Sequence, residues 1–169
     1  HGRVAARYAK HHLPNYSVFD EQRVFSPGTT PLTVRIAGAD VAIIICEDLW
    51  RDAGPVASVV ADRVDALLVI NASPFERDKD DLRLPLVRRR AQETGATVVY
   101  VNIVGGQDDL VFDGDSVVVG PDGTVIARAP LFEEHLLVVD IPGAAGSADG
   151  DVGERVELDG APQRRDRIM

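Results

Sequence analysis

Three short runs of β-branched and apolar residues constrain this chain most: "VAIIIC" at 41–46, "DALLVIN" at 65–71 and "ATVVYVN" at 96–102. Each is continuous rather than alternating, as expected of strands buried on both faces. The segments between them are long enough for helices. "RDAGPVASVVADR" reads as one helix. "DKDDLRLPLVRRRAQETG" reads as another, with Leu82, Leu86, Val87 and Ala91 at helical spacing and Gly95 as its stop. Pro85 lies early enough in that helix to be tolerated. The middle of the chain is therefore β-α-β-α-β, the mark of an α/β domain with helices against a sheet.

The flanks read differently. "GRVAARYAK" alternates, with Val4, Ala6 and Tyr8 on one side, and predicts a half-buried strand. The stretch from His12 to Thr30 is a long loop with several aromatics, and loops of that length are often functional. "PLTVRIAGADVAIIIC" predicts two strands with a turn near Gly38–Asp40. "DGDSVVVGPDGTVIARA" predicts a hairpin turning at "PDGT", and "HLLVVDIP" a last strand. From Pro142 onward the sequence is small, polar and aperiodic, which reads as linker or tail.

Composition narrows the function. A net charge of −9 argues against nucleic acid and against an anionic membrane surface as partners. No apolar run approaches the length of a bilayer span. The single cysteine, Cys46, forms no internal disulfide, so a reducing, cytoplasmic setting is expected. There is no zinc-type Cys/His spacing, no G-x-G-x-x-G fingerprint and no Walker P-loop. The chain opens without an initiator Met and directly into an expected strand, which reads as a fragment truncated at its N-terminus.

Cys46 has two readings. Free cysteine is among the most buried residue types, so a core thiol is one. The other is a nucleophile on a strand–Cys–helix turn, at the carboxyl end of a strand where α/β sheets place their sites. There the N–H of Glu47 would donate to a developing oxyanion. Lys10 ends the first expected strand. If that strand runs parallel beside the Cys46 strand, both share one rim, and Lys10 would favour the thiolate. His11 and His12 are adjacent and make a poor chelating pair, so surface positions are expected. Ser73, in "NASPF", also follows a strand and is either a cap or a ligand hydroxyl. Lys79 lies within reach of the same mouth or on the next helix's first turn. Asp108, Asp109, Asp113 and Asp115 lack calcium-loop spacing, so no metal site is expected.

"AKHHLPNYSVFDEQRVF", "IIICEDLW", "INASPF" and "VNIVGGQDDLVFDGDS" occur in one order. Together they resemble the carbon–nitrogen hydrolase (nitrilase) superfamily, and within it the glutaminase domains of glutamine-dependent NAD synthetases. The resemblance runs from about residue 2 to residue 141. It implies a four-layer αββα sandwich whose N-terminal portion is missing here. It implies a partial glutaminase domain over residues 1–141, and a linker or tail over 142–169 leading towards an absent synthetase domain. It also implies a Glu–Lys–Cys catalytic set with Cys46 as nucleophile and Lys10 as the lysine. Glu47 would give a backbone oxyanion donor, and Glu21 a supporting carboxylate near Lys10. Tyr16, Ser73 and Lys79 would hold glutamine, with Trp50 at the pocket wall and Arg77 competing for the role of Lys79.

The implied reaction is hydrolysis of the glutamine amide, with ammonia passed on for ATP-dependent amidation of deamido-NAD. Cofactors are expected only in the synthetase domain, as ATP and magnesium. The partners implied are L-glutamine, the synthetase domain and further copies of the chain in a homo-oligomer. The family's general-base glutamate lies well upstream of the lysine motif, so this segment alone is expected to turn over glutamine poorly unless Glu21 or Glu47 replaces it. A stand-alone amidase acting on another small amide and a catalytically silent structural fragment remain the alternatives.

Overall fold

The computed structural model describes residues 3–77, 80–141 and 156–157. Its central feature is a seven-stranded mixed sheet. The strands are β1 Thr33–Ile36, β2 Ala39–Ile45, β3 Ala66–Asn71, β4 Thr97–Asn102, β7 Val117–Val119, β8 Val125–Arg128 and β9 Val156–Glu157. Their spatial order is β8-β7-β4-β3-β2-β1-β9. β2, β3 and β4 are parallel neighbours, as the three apolar runs require. Strands β5 Val104–Gln107 and β6 Leu110–Asp113 form a separate antiparallel pair.

Local chemistry explains the joints. β1 turns into β2 through Ala37 and Gly38, both at positive φ (51° and 87°), as a two-residue type I′ hairpin requires. β7 and β8 turn through "PDGT", where Gly123 at φ +84° donates to the Gly120 carbonyl at 2.8 Å. Helix α2, Pro55–Asp62, begins with proline at its first position, where no hydrogen bond is lost. Helix α3, Asp80–Thr94, ends at Gly95, whose φ of +65° lets its N–H donate back to Ala91.

Both helices cover one face of the sheet. Ala42, Ile44, Leu67, Val69, Val98 and Tyr100 pack there against Val56, Val59, Leu86, Val87 and Ala91. Each fully buried aliphatic side chain contributes about 1.5–3 kcal/mol relative to exposure. The opposite face carries Ile43, Leu68, Ile70, Val99 and Val101. It opens towards the carboxyl ends, where Ile70 is 55% and Val101 50% exposed. The apolar runs are therefore not buried on both faces among the described residues. They supply the apolar surface on which a sandwich would seat its second sheet.

Four further expectations need correction. Residues 3–10 form no ladder, although Ala6, Tyr8 and Lys10 still point inward with period two. Val4, expected on that same side, is exposed. The stretch 135–141 likewise pairs with no described strand, and Leu136 and Val138 face solvent. Leu82 is 61% exposed, because the buried stripe of α3 is Arg83, Leu86, Val87, Arg90, Ala91 and Thr94. The expected tail lies outside the described residues except Val156–Glu157, which add a short parallel strand to β1.

Candidate active site

β2 delivers Cys46 to the carboxyl edge of the sheet, where it caps the single-turn helix α1, Glu47–Trp50. Its backbone sits at φ 47°, ψ −101°, a conformation a non-glycine residue rarely adopts and one that costs about 1–3 kcal/mol. Two bonds hold it there: Cys46 N–H donates to the Ile70 carbonyl at 3.0 Å, and Leu49 N–H to the Cys46 carbonyl at 3.0 Å. The thiol is half-buried. Burial pushes it above the ordinary thiol range, the Lys10 ammonium pulls it back, and the Glu47 and Glu21 carboxylates push it up again. The Ala72 N–H also favours the thiolate. As the first residue of α1, Glu47 has a backbone N–H without an intrahelical acceptor, beside the sulfur.

Lys10 approaches Cys46 from a segment that is not in the sheet, so the expected neighbouring-strand geometry is replaced by a loop packed on the rim. Its Nζ donates to both Glu21 oxygens at 2.8 Å. Glu21 opens a 3-10 turn, Glu21–Arg23, inside the long loop. The Lys10 carbonyl accepts from Gly28 N–H at 2.9 Å. Only glycine fits at 28, since a Cβ would lie 2.2 Å from the Ala9 carbonyl oxygen.

Tyr16 joins the site through Glu47. Its hydroxyl donates to Glu47 Oε2 at 2.7 Å, while Arg51 Nε donates to Oε1 at 2.9 Å. Burial and the Glu47 carboxylate push the Tyr16 phenol up to about 12. Glu47 and Arg51 line a cavity of about 500 Å³ together with His11, His12, Leu13 and Phe25. Trp50 packs half-buried against the helix-side core, as does Tyr8. Ser73 is buried just beyond β3, where its N–H donates to Asn102 Oδ1 at 2.9 Å and its carbonyl accepts from Asn102 Nδ2 at 3.3 Å. Arg77 is exposed, and Lys79 lies outside the described residues.

The structure thus brings Lys10, Glu21, Cys46 and Glu47 together, with Tyr16 on Glu47 and Ser73 on the same rim. His11 and His12 are not simple surface residues. Both are half-buried, and both backbone N–H groups bind Asp48. Several residues around the site escaped the sequence reading. Asn102 clamps the Ser73 loop, and Asp48 sits buried beneath Cys46. Arg90 Nε donates to the Leu49 carbonyl at 2.7 Å and so ties α3 to the Cys46 turn. Two of the four acids of the 108–115 stretch hold arginines: Asp113 accepts two bonds from Arg83, and Asp115 two from Arg128. The usable signal was polar residues on apolar periodicity, Arg83 and Arg90 among them.

Comparison with known proteins agrees with this geometry. A carbon–nitrogen hydrolase family model matches residues 1–148. The glutamine-dependent NAD(+) synthetase of Xanthomonas campestris is 49% identical over 141 residues, which are 82% of this chain and 25% of that protein. The Aquifex aeolicus protein of the same name is 43% identical over 140 residues, again 25% of its length. The chain thus spans about a quarter of the length of these relatives. Among solved structures, the glutamine-dependent NAD+ synthetase of Acinetobacter baumannii superposes with a TM-score of 0.75 at 41% identity, over 79% of this chain and 25% of that one. An amidase variant from Nesterenkonia sp. AN1, with acrylamide added to its active-site cysteine, superposes with a TM-score of 0.62 at 29% identity, over 75% and 48%. With most of its length matched by the family model, and with its sheet and rim laid out as described, the chain belongs to the carbon–nitrogen hydrolase family.

Proposed function

We propose that this chain contributes a glutaminase site to a glutamine-dependent NAD synthetase. The observation that carries the reading is a thiol on a strained strand–helix turn at the carboxyl edge of the sheet, faced by the Lys10–Glu21 ion pair. Cys46 loses its proton to a carboxylate base and attacks the side-chain amide carbon of glutamine. In the family this base is a glutamate upstream of the lysine motif. The carbonyl oxygen becomes an oxyanion, met by the Lys10 ammonium and the Glu47 N–H. The C–N bond breaks, the leaving nitrogen takes the proton, and ammonia departs. Water then cleaves the glutamyl thioester, releasing glutamate and restoring the thiol. Because burial holds the thiol high, the base is needed at neutral pH.

Tyr16, Ser73 and Lys79 or Arg77 would hold glutamine, with Trp50 at the pocket wall. The ammonia would pass to an ATP- and magnesium-dependent synthetase domain of the same polypeptide, for amidation of deamido-NAD in the cytoplasm. The test is ammonia release from glutamine by the full-length protein and by its Cys46→Ala variant, with NAD formation measured beside it. Undiminished ammonia release by the variant refutes the nucleophile. Ammonia release without glutamine-driven NAD formation would instead mark a stand-alone amidase.

A further inference from the structure

Asp48 belongs to no part of the reaction above, yet it is completely buried beneath the site. Five contacts converge on its two oxygens. Oδ1 accepts from His11 N–H at 3.1 Å and His12 N–H at 2.8 Å, and lies 3.2 Å from His12 Nδ1. Oδ2 accepts from the Tyr8 hydroxyl at 2.8 Å and from Ile45 N–H at 3.2 Å. An ionised carboxylate is the side chain suited to this, being acceptor-only on both oxygens.

The placement of these donors is what matters. Tyr8, His11 and His12 bracket Lys10 in sequence on both sides. Ile45 immediately precedes Cys46, and Asp48 follows it by two residues. The segment carrying Lys10 makes no sheet ladder, so no strand pairing sets its distance from Cys46. The His12 ring is also wedged over Gly54, where a Cβ would come within 2.5 Å of it. The Lys10 segment is thus pinned from below by Asp48 and from the side by Gly54, just before α2.

We propose that Asp48 is the positioning residue that sets the Lys10 ammonium against the Cys46 thiol, by clamping residues 8–12 to the turn at 45–48. This rests on the reading of Cys46 as nucleophile and Lys10 as its cation. A buried acid with a purely structural role would stabilise the fold and leave the chemistry of the folded site unchanged.

The test is the pH dependence of Cys46 alkylation by iodoacetamide in the full-length protein, read by mass spectrometry on the Cys46 peptide. The charged and titratable groups facing the thiol are Lys10 from the loop segment, Glu21 from the 3-10 turn, Glu47 from α1, Tyr16 from the loop and Tyr100 from β4. Asp48→Asn keeps the shape but turns an NH₂ group towards donors. Loss of the Asp48 negative charge by itself could only lower the thiol midpoint, whereas displacement of Lys10 raises it. The expected result is a rise of about one pH unit. A fall in kcat for glutamine of about 10- to 100-fold, with KM little changed, should accompany it. In a Lys10→Met background, which itself raises the midpoint, Asp48→Asn should add nothing.

If Lys10→Met leaves the midpoint unmoved, the reading of Lys10 fails. If Lys10→Met raises it and Asp48→Asn leaves it unchanged or lower, the positioning role of Asp48 is overturned. An equal rise in both backgrounds overturns it too. Should Asp48→Asn fail to fold, Tyr8→Phe removes one donor from Oδ2 without burying another. It should give a smaller rise, and no rise at all overturns the proposal.

Discussion

Arg83→Met tests the packing that seats the site. Arg83 is 2% and Asp113 1% exposed, and two bonds of 2.9 and 3.1 Å join them across thirty residues of chain. Such a pair attracts with about 4 kcal/mol at an effective dielectric of about 20. Much of that is offset by desolvation, so the pair as a whole adds little net stability. Breaking it is another matter. Methionine fills much of the arginine volume but leaves the Asp113 carboxylate in the core with one remaining donor among the described residues, Asn102 Nδ2 at 3.3 Å. Asp115 is less affected, since Arg128 still donates to it at 2.7 Å. The expected cost is about 3–5 kcal/mol. Replacing both partners, Arg83→Met with Asp113→Leu, should recover most of it, because Asn102 Nδ2 keeps the Ser73 and Gly114 carbonyls. Hydrogen exchange in the full-length protein, read on peptides from α3, β4 and β6, measures both. A single-variant loss of protection below about fivefold would refute the argument, as that is only about 1 kcal/mol. So would single-variant effects that simply add in the double variant to within about 0.5 kcal/mol.

Two other outcomes follow from the same structure. Gly54→Ala places a Cβ 2.5 Å from the His12 ring at φ +89°, and should cost about 1–3 kcal/mol in a thermal or urea unfolding experiment. An unchanged midpoint would mean that His12 is not wedged there. Burial pushes the Tyr100 phenol from 10 up to about 12. The unfolded chain therefore loses this proton first as pH rises, and the contribution of Tyr100 is fully present below pH 10 and lost on the way through pH 12. Tyr100→Phe should flatten the alkaline fall in stability over that window, and a fall as steep as in the parent would contradict it.

What could be read from the residues alone was whatever depends on near neighbours in sequence. β2, β3 and β4 announced themselves by apolar runs, α2 by "RDAGPVASVVADR", α3 by Gly95, and the β7–β8 turn by "PDGT". Ordered motifs pointed to Cys46 and Lys10, and the structure brings both to one rim. What was not legible depends on partners far along the chain. Arg83 and Arg90 carried no reading of their own, because their acceptors, Asp113 and the Leu49 carbonyl, lie thirty and forty-one residues away. Asp48 drew no reading within "CEDLW", since most of its donors come from Tyr8, His11 and His12, in a segment with no secondary structure. Residues 3–10 and 135–141 carried strand patterns, but a period of two states only which side faces inward. A ladder also needs a neighbour.

The backbone of Cys46 has a consequence for how this protein can change over time. At φ 47° and ψ −101° it occupies the mirror image of an extended conformation, which glycine enters freely and every other residue enters under strain. On the proposed reading of Cys46 as nucleophile, the residue that would suit this spot best for durability is therefore the one that would abolish the chemistry. Stability and activity pull in opposite directions at this single position. A lineage released from the need for the reaction would be expected to drift there first.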